Sequence, residues 1–293
     1  EQLSAKLEAA ERQGCLPKVV VPVHFAGQPC EMPAIGQLAQ RYGFKVIEDA
    51  SHAIGASYTP VIARSSEAAT RQSTSIKVGS CTHSDITVFS FHPVKIITTA
   101  EGGMAMTNDD HLAERMSRLR THGITRDPAQ MVREPAGPWY YEQLELGYNY
   151  RMTDLQAALG TSQIQRLDEF VGRRNALAQR YNELLTDLPL RRPKVIAEAY
   201  SSWHLYPIRL RLDKITRSHR EVFDALREAG IGVNLHYMPV HLQPYYRGLG
   251  FREEMFPEAE AYGSDAISLP MFPSLDHPDQ KSVVATLTKE LAK

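Results

Sequence analysis

Apolar and polar positions along the first half of the chain follow a strand–helix rhythm. Lys18–His24 reads KVVVPVH, an apolar run of strand length. Helical spacing follows from about Pro33 to Tyr42, with proline in the first turn and Gly43 as the stop. Phe44–Asp49 predicts a second strand that ends in two carboxylates. Asp85–Phe91 predicts a third and Gly103–Thr107 a short fourth. Asp109–His122 predicts a helix capped near Asn108 and stopped at Gly123. Strands alternating with helices imply an α/β fold built on a mostly parallel, doubly wound sheet.

The second half reads differently. Thr153 is a good N-cap with Asp154 in the first turn, and apolar residues then recur at helical spacing through Leu188. That pattern predicts a long connecting helix, broken near Gly160 or Gly172. Past Pro189 come a strand at Trp203–Leu212, a helix at Ser218–Ala229, a strand at Ile231–Tyr237 and a terminal helix at Asp279–Ala292. This order is α+β. The expected division is a large domain over residues 1–165, then the connecting helix and a small α+β C-terminal domain over 166–293. Leu3, Leu7 and Ala10 already share a helical face directly after Glu1, so the chain is expected to begin partway through a fold, with the large domain incomplete at its N-terminal side.

Two stretches are irregular. Tyr58–Lys77 is rich in Ser, Thr and Ala and predicts a surface loop or an insertion. Glu134–Asn149, with Tyr150 after it, holds Trp139, Tyr140, Tyr141 and Tyr148. Aromatics this dense outside a regular element predict an interface or pocket wall, with a packed core loop the equal alternative.

Composition narrows the partners. The 293 residues are 43% hydrophobic and 23% charged, and 33 Lys+Arg against 34 Asp+Glu give a net charge of -1. No block of basic residues marks a nucleic acid or an anionic membrane as a partner. Apolar runs such as Val19–Val23 are too short to span a bilayer, and the start carries no signal-peptide pattern. Cys15, Cys30 and Cys81 stand singly, which argues against a disulfide framework or a metal site and fits a reducing cytoplasm.

The chemistry concentrates in VFSFHPVKIITTAEGG, Val88–Gly103. A lysine placed just past a buried strand is costly, because desolvation disfavours its charged form. Chemistry that needs a neutral amine, Schiff-base formation above all, explains such a placement for Lys95. A pyridoxal phosphate enzyme requires a lysine, a carboxylate at the pyridine nitrogen, donors for the phosphate and a group near the ring hydroxyl. Asp49 at a strand end suits the carboxylate, His52 could reach the ring oxygen, and Ser90 could donate to the phosphate. Taken singly, an Asp at a strand end is more often a turn cap and a His more often a structural residue. Their common location at carboxyl ends of strands, where such sheets bind ligands, argues for a site.

IEDASHAIGA (Ile47–Ala56), DITVFSFHPVKIITTAEGGMAMTND (Asp85–Asp109), LRTHGITRDP (Leu119–Pro128) and LGYNYRMTDLQAALG (Leu146–Gly160) together resemble the DegT/DnrJ/EryC1/StrS sugar-nucleotide aminotransferases. The likeness continues through SSWHLYPIRL, GVNLHYMPVHLQPYY and SLPMFPSL, and so covers nearly the whole chain. The SFHPVK form with HGITRDP downstream is most similar to the pseudaminic acid branch, which serves cell-surface polysaccharides. Members of that branch aminate the C4 ketone of a UDP-linked 4-keto-6-deoxy-N-acetylhexosamine with L-glutamate as donor.

The resemblance implies a fold type I, aspartate aminotransferase-like transferase that is a homodimer with shared active sites. It makes Lys95 the Schiff-base lysine and proton shuttle, Asp49 the partner of the pyridine nitrogen, His52 the residue near the ring oxygen and Ser90 a phosphate contact. Asn149 would reach the phosphate from the partner subunit, with Tyr150 beside the sugar nucleotide and His236 and Tyr237 in a substrate-facing segment. Two departures stand against this. The family's Gly-Thr phosphate cradle and ring-stacking aromatic precede the opening helix and have no counterpart in these 293 residues. The Tyr58–Lys77 stretch is also longer than the family's. A truncated, catalytically silent homologue that dimerises or regulates is therefore the alternative. Relatives that dehydrate the sugar replace the lysine by histidine, so Lys95 speaks against that chemistry.

Overall fold

The computed structural model describes residues 1–60 and 75–292. It divides into two compact units, one of Glu1–His24 with Pro29–Leu167, the other of Phe25–Gln28 with Asp168–Lys293.

The first unit opens with α1 (Gln2–Arg12), which buries Leu7. Then come β1 (Val19–Val20), α2 (Met32–Tyr42) and β2 (Lys45–Asp49). α2 stops at Gly43, whose left-handed φ of 76° lets its N–H reach the Ala39 carbonyl. The pair β3 (Ser57–Tyr58) and β4 (Ile76–Lys77) is antiparallel. These strands flank residues 61–74 of the long polar stretch, which lie outside the described residues. The sheet is completed by β5 (Ile86–Ser90) and β6 (Gly103–Met106), in the order β1-β2-β5-β6. β1, β2 and β5 run parallel, and β6 is an antiparallel edge. Of the run predicted over Lys18–His24, only Val19–Val20 is a regular strand, continued by a bridge from Val23 to Asp49. Pro22, with no N–H to give, lies inside that interval.

Strand alternation then sorts the chemistry. Val46 and Glu48 of β2 point to the buried face, and Lys45, Ile47 and Asp49 to the other. Val19 is paired with Lys45, so Val19, Val21 and Val23 share the Asp49 face, where they are 45%, 53% and 48% exposed.

α3 (Asp110–Arg120) is capped by the Asp109 carboxylate, which accepts the Leu112 N–H, one residue later than the sequence suggests. β7 (Ile124–Thr125) and β8 (Glu142–Gln143) form a short antiparallel pair. α4 (Asp154–Ile164) starts on a Thr153–Gln156 capping box. The predicted long helix is two helices, α4 and α5 (Leu167–Leu184), and the break falls at Gln165–Arg166, at neither glycine. There the Arg166 N–H turns back to the Gln163 carbonyl, three residues away. Gly160 serves another end: a Cβ there would lie 2.7 Å from the Thr99 Cγ2, so glycine allows α4 to approach the loop that carries Lys95.

In the second unit, α5 is followed by β9 (Leu190–Arg191), β10 (Ala199–Tyr200), β11 (Tyr206–Leu210) and α6 (His219–Glu228). α6 begins on a Ser218–Glu221 capping box. Next are α7 (Pro244–Gly248), α8 (Pro257–Asp265), β12 (Ala266–Leu269) and α9 (His277–Leu291). The sheet order is β12-β11-β9, all antiparallel. Its core gathers Tyr181, Tyr206, Ile208, Leu226, Ile267 and Leu287, all fully buried. The strand expected at Ile231–Tyr237 does not form. A tight bond from the Val233 N–H to the Ile231 carbonyl kinks the chain, and only Asn234 bridges to β12. β12 is a four-residue buried run without alternation and gives no strand signal in the sequence.

Arg174 of α5 is 4% exposed and gives Nη1 to the carbonyls of Trp203 (3.1 Å), His204 (3.2 Å) and Met271 (2.8 Å). Burial pushes its guanidinium down to about 10. Among the described residues no helix is long and apolar enough to cross a membrane. Arg174→Met should strand three buried carbonyls and lower the unfolding free energy by roughly 3 kcal/mol. A urea titration should show this as an earlier midpoint; an unchanged midpoint would refute that role of Arg174.

Candidate active site

Lys95 sits on the loop between β5 and β6. Phe91 closes the loop at both ends: its N–H donates to the Gly102 carbonyl (2.9 Å) and its carbonyl accepts from the Thr99 N–H (3.0 Å) and the Thr98 hydroxyl (2.9 Å). The Lys95 N–H bonds the His92 carbonyl at 2.9 Å, and the next two side chains, Ile96 and Ile97, are buried. From outside, the Gln156 amide of α4 donates to the Glu101 carbonyl at 3.0 Å. The lysine therefore projects from a fixed backbone. Burial lowers its ammonium pKa below the ordinary lysine value, and the negative charge of Asp49 partly opposes that shift.

The charge of Asp49 thus acts on Lys95. Asp49 ends β2 beside β5, in register with Val88, two residues before Ser90. One Asp49 carboxylate oxygen accepts the Ser51 N–H at 3.0 Å, as an Asx turn. The second oxygen has no bond from that turn. Ser90 ends β5, where its Oγ accepts the His92 N–H at 3.4 Å and its own O–H is left to donate. His52, three residues past Asp49, is buried. Asp49, His52, Ser90 and Lys95 thus all lie at the carboxyl ends of β2 and β5 or in the turns that follow them. A desolvated amine, a carboxylate and a hydroxyl at the carboxyl ends of neighbouring strands are the groups that pyridoxal phosphate requires, so these residues fit it.

Below Asp49 is a set of residues that motif reading passes over. Glu48 is 1% exposed and accepts three hydrogen bonds: from His24 Nε2 (2.7 Å), from Thr87 Oγ1 (2.9 Å) and from the Ser84 hydroxyl. Burial alone would raise the Glu48 carboxyl pKa, but the donors outweigh it and hold the pKa below the ordinary value. The Cys30 N–H donates to His24 Nδ1 at 3.0 Å, so the ring proton sits on Nε2 and points at Glu48. The signal was available: in a half-buried strand ending Glu-Asp, period-two alternation must send one carboxylate inward.

The other expected residues are Asn149, Tyr150, His236 and Tyr237. Asn149 is exposed and bridges Thr121, and the Tyr150 N–H bonds the Arg120 carbonyl at 3.0 Å. Tyr150 lines a groove along the β6 edge with Gly102, Met104, Arg120 and Met152. Its ring stacks on Tyr148 at 4.8 Å and is 72% exposed, while Trp139 is 75% exposed. These exposures overturn the core-loop alternative for the aromatic stretch. His236 and Tyr237 belong to the second unit, where His236 Nδ1 bonds the Ser268 hydroxyl at 2.9 Å and Tyr237 packs edge-on to Phe25. Among the described residues no three His, Cys, Asp or Glu side chains gather as a metal site.

Known proteins resemble this chain over almost its full length. An uncharacterized protein of Methanocaldococcus jannaschii is 38% identical over 274 residues, 93% of this chain and 66% of that protein. A spore coat polysaccharide biosynthesis protein of Bacillus subtilis is 38% identical over 282 residues, 95% of this chain and 67% of its own length. The chain thus spans about two thirds of the length of these relatives. Among solved structures, the Helicobacter pylori aminotransferase involved in the biosynthesis of pseudoaminic acid superposes with a TM-score of 0.80 at 28% identity. That superposition covers 95% of this chain and 68% of the other. The family model described as the DegT/DnrJ/EryC1/StrS aminotransferase family matches residues 4–288, and the chain belongs to that family.

Proposed function

We propose that this protein is a pyridoxal phosphate-dependent aminotransferase of fold type I, moving the amino group of L-glutamate to the C4 ketone of a UDP-linked 4-keto-6-deoxy-N-acetylhexosamine. The observation that carries the reading is the placement of Lys95, Asp49 and Ser90 at the carboxyl ends of the paired strands β2 and β5, where burial lowers the lysine pKa. The likeness to an aminotransferase of pseudoaminic acid biosynthesis supports the substrate class. The exchange balances by itself. Glutamate gives up its α-hydrogen and amino group and leaves as 2-oxoglutarate, and the sugar carbon takes both while its carbonyl oxygen passes to the acid.

When bound, the cofactor supplies an aldehyde for the lysine and an electron-withdrawing ring. Lys95 Nζ, whose ammonium pKa burial lowers, would take the proton from the α-carbon of glutamate and, in the second half of the exchange, would give one to C4 of the sugar. Asp49 keeps a proton on the ring nitrogen by offering it a negative charge. Ser90 Oγ donates to phosphate, and His52 lies near the ring oxygen. Asn149 reaches the phosphate of a partner subunit, and Tyr150, His236 and Tyr237 meet the sugar nucleotide. The protein works as a cytoplasmic homodimer.

Added pyridoxal phosphate should turn the protein yellow, and Lys95→Ala should abolish the colour. A colourless wild-type protein that still dimerises would support the silent homologue instead. With glutamate and a panel of UDP- and dTDP-linked 4-keto sugars, amination should favour the UDP-linked N-acetylhexosamine; equal turnover of the dTDP sugars would refute that substrate.

The lowered Lys95 pKa has its own consequence. Because the neutral amine is the reactive form, modification of Lys95 by an aldehyde should reach its plateau at lower pH than for a free lysine. Asp49→Asn removes a charge that raises this pKa, so the midpoint should move to still lower pH. A midpoint that rises in Asp49→Asn would show that the two groups are not coupled as described.

A further inference from the structure

Glu48 and Asp49 are consecutive, so alternation ties their directions: one cannot turn without the other. Glu48 is anchored from both neighbouring stretches of the sheet, by His24 after β1 and by Thr87 of β5 with Ser84 just before it. His24 is in turn fixed by the Cys30 N–H. The main chain follows the same route. The His24 N–H donates to the Asp49 carbonyl at 3.0 Å, the Asp49 N–H to the Pro22 carbonyl at 2.9 Å and the Ala50 N–H to the Val88 carbonyl at 2.9 Å. Asp49 is therefore held on both sides by the residues that flank the buried carboxylate. A one-residue slip of β2 would bury Asp49 and expose Glu48, and it would have to strip the buried carboxylate of every donor first.

We propose that His24, Glu48 and Thr87 are positioning residues for Asp49, setting the strand register and the direction of its carboxylate without touching cofactor or substrate. The effect on cofactor rests on the aminotransferase reading; the effect on Asp49 itself does not. A network that merely stabilised the sheet would also be buried and satisfied, so the test must read Asp49. Thr87→Val keeps the shape and removes the hydroxyl, Thr87→Ser restores it, and Glu48→Gln keeps the shape while replacing an acceptor oxygen by a donor.

The Asp49 carboxyl carbon resonance, assigned through Asp49→Asn, should be followed by NMR in the cofactor-free full chain, alongside the dissociation constant for pyridoxal phosphate. Thr87→Val and Glu48→Gln should shift the resonance and weaken cofactor binding roughly tenfold, as removal of an orienting outer partner does elsewhere. Thr87→Ser should bring both back. If Thr87→Val folds, as judged by circular dichroism, and leaves both at wild-type values, the inference is overturned. Should Glu48→Gln fail to fold, the valine–serine pair decides alone. A wild-type chain that binds no pyridoxal phosphate would defeat the proposed function, and the Asp49 resonance would then decide this inference by itself.

Discussion

The constraint on which the first unit depends is the burial of one charge, the Glu48 carboxylate. An ionised carboxylate withdrawn from water must find donors or be neutralised, and burial by itself drives it toward neutralisation. Here the donors win, because three of them converge on two oxygens and the pKa ends below its ordinary value. Such a requirement is directional in a way that hydrophobic packing is not. Val46 could tolerate a shift of the strand by exchanging one apolar contact for another. Glu48 cannot, since its donors come from two separate segments, His24 on one side and Ser84 with Thr87 on the other, and all must meet at one point. The cost of satisfying Glu48 thus becomes the precision with which Asp49 is presented on the opposite face.

Much of this organisation is legible in the chain, and what is legible has a local cause. α2 and α6 are signalled by their own ends: Gly43 for one, the Ser218–Glu221 box for the other. β2 and β5 are signalled by apolar runs that stop at polar residues, and those stops are where Asp49 and Ser90 lie. The failures have non-local causes. Ile231–Tyr237 has strand composition, but a γ-type turn and the bridge of Asn234 to β12 decide its path. Gly160 reads as a helix breaker, and its reason is a loop about 60 residues earlier in sequence that must pass close by. Glu48 was visible as a carboxylate, but its partners lie 24, 36 and 39 residues away, a separation that no motif spans.

Lys95 shows how the same physics serves opposite ends within one unit. For Glu48 the fold supplies enough donors to keep a buried group charged. For Lys95 it supplies burial and sets against it the charge of Asp49. The two influences on Lys95 pull in opposite directions, and desolvation is the larger. That ordering is what a nucleophilic amine requires. A closer or second carboxylate would lock the ammonium in its protonated form, and complete burial without one would leave no charge nearby to serve a ring nitrogen. In the proposed aminotransferase Asp49 would meet both demands only with its distance and direction fixed, which is the part proposed for the strand whose other face carries Glu48.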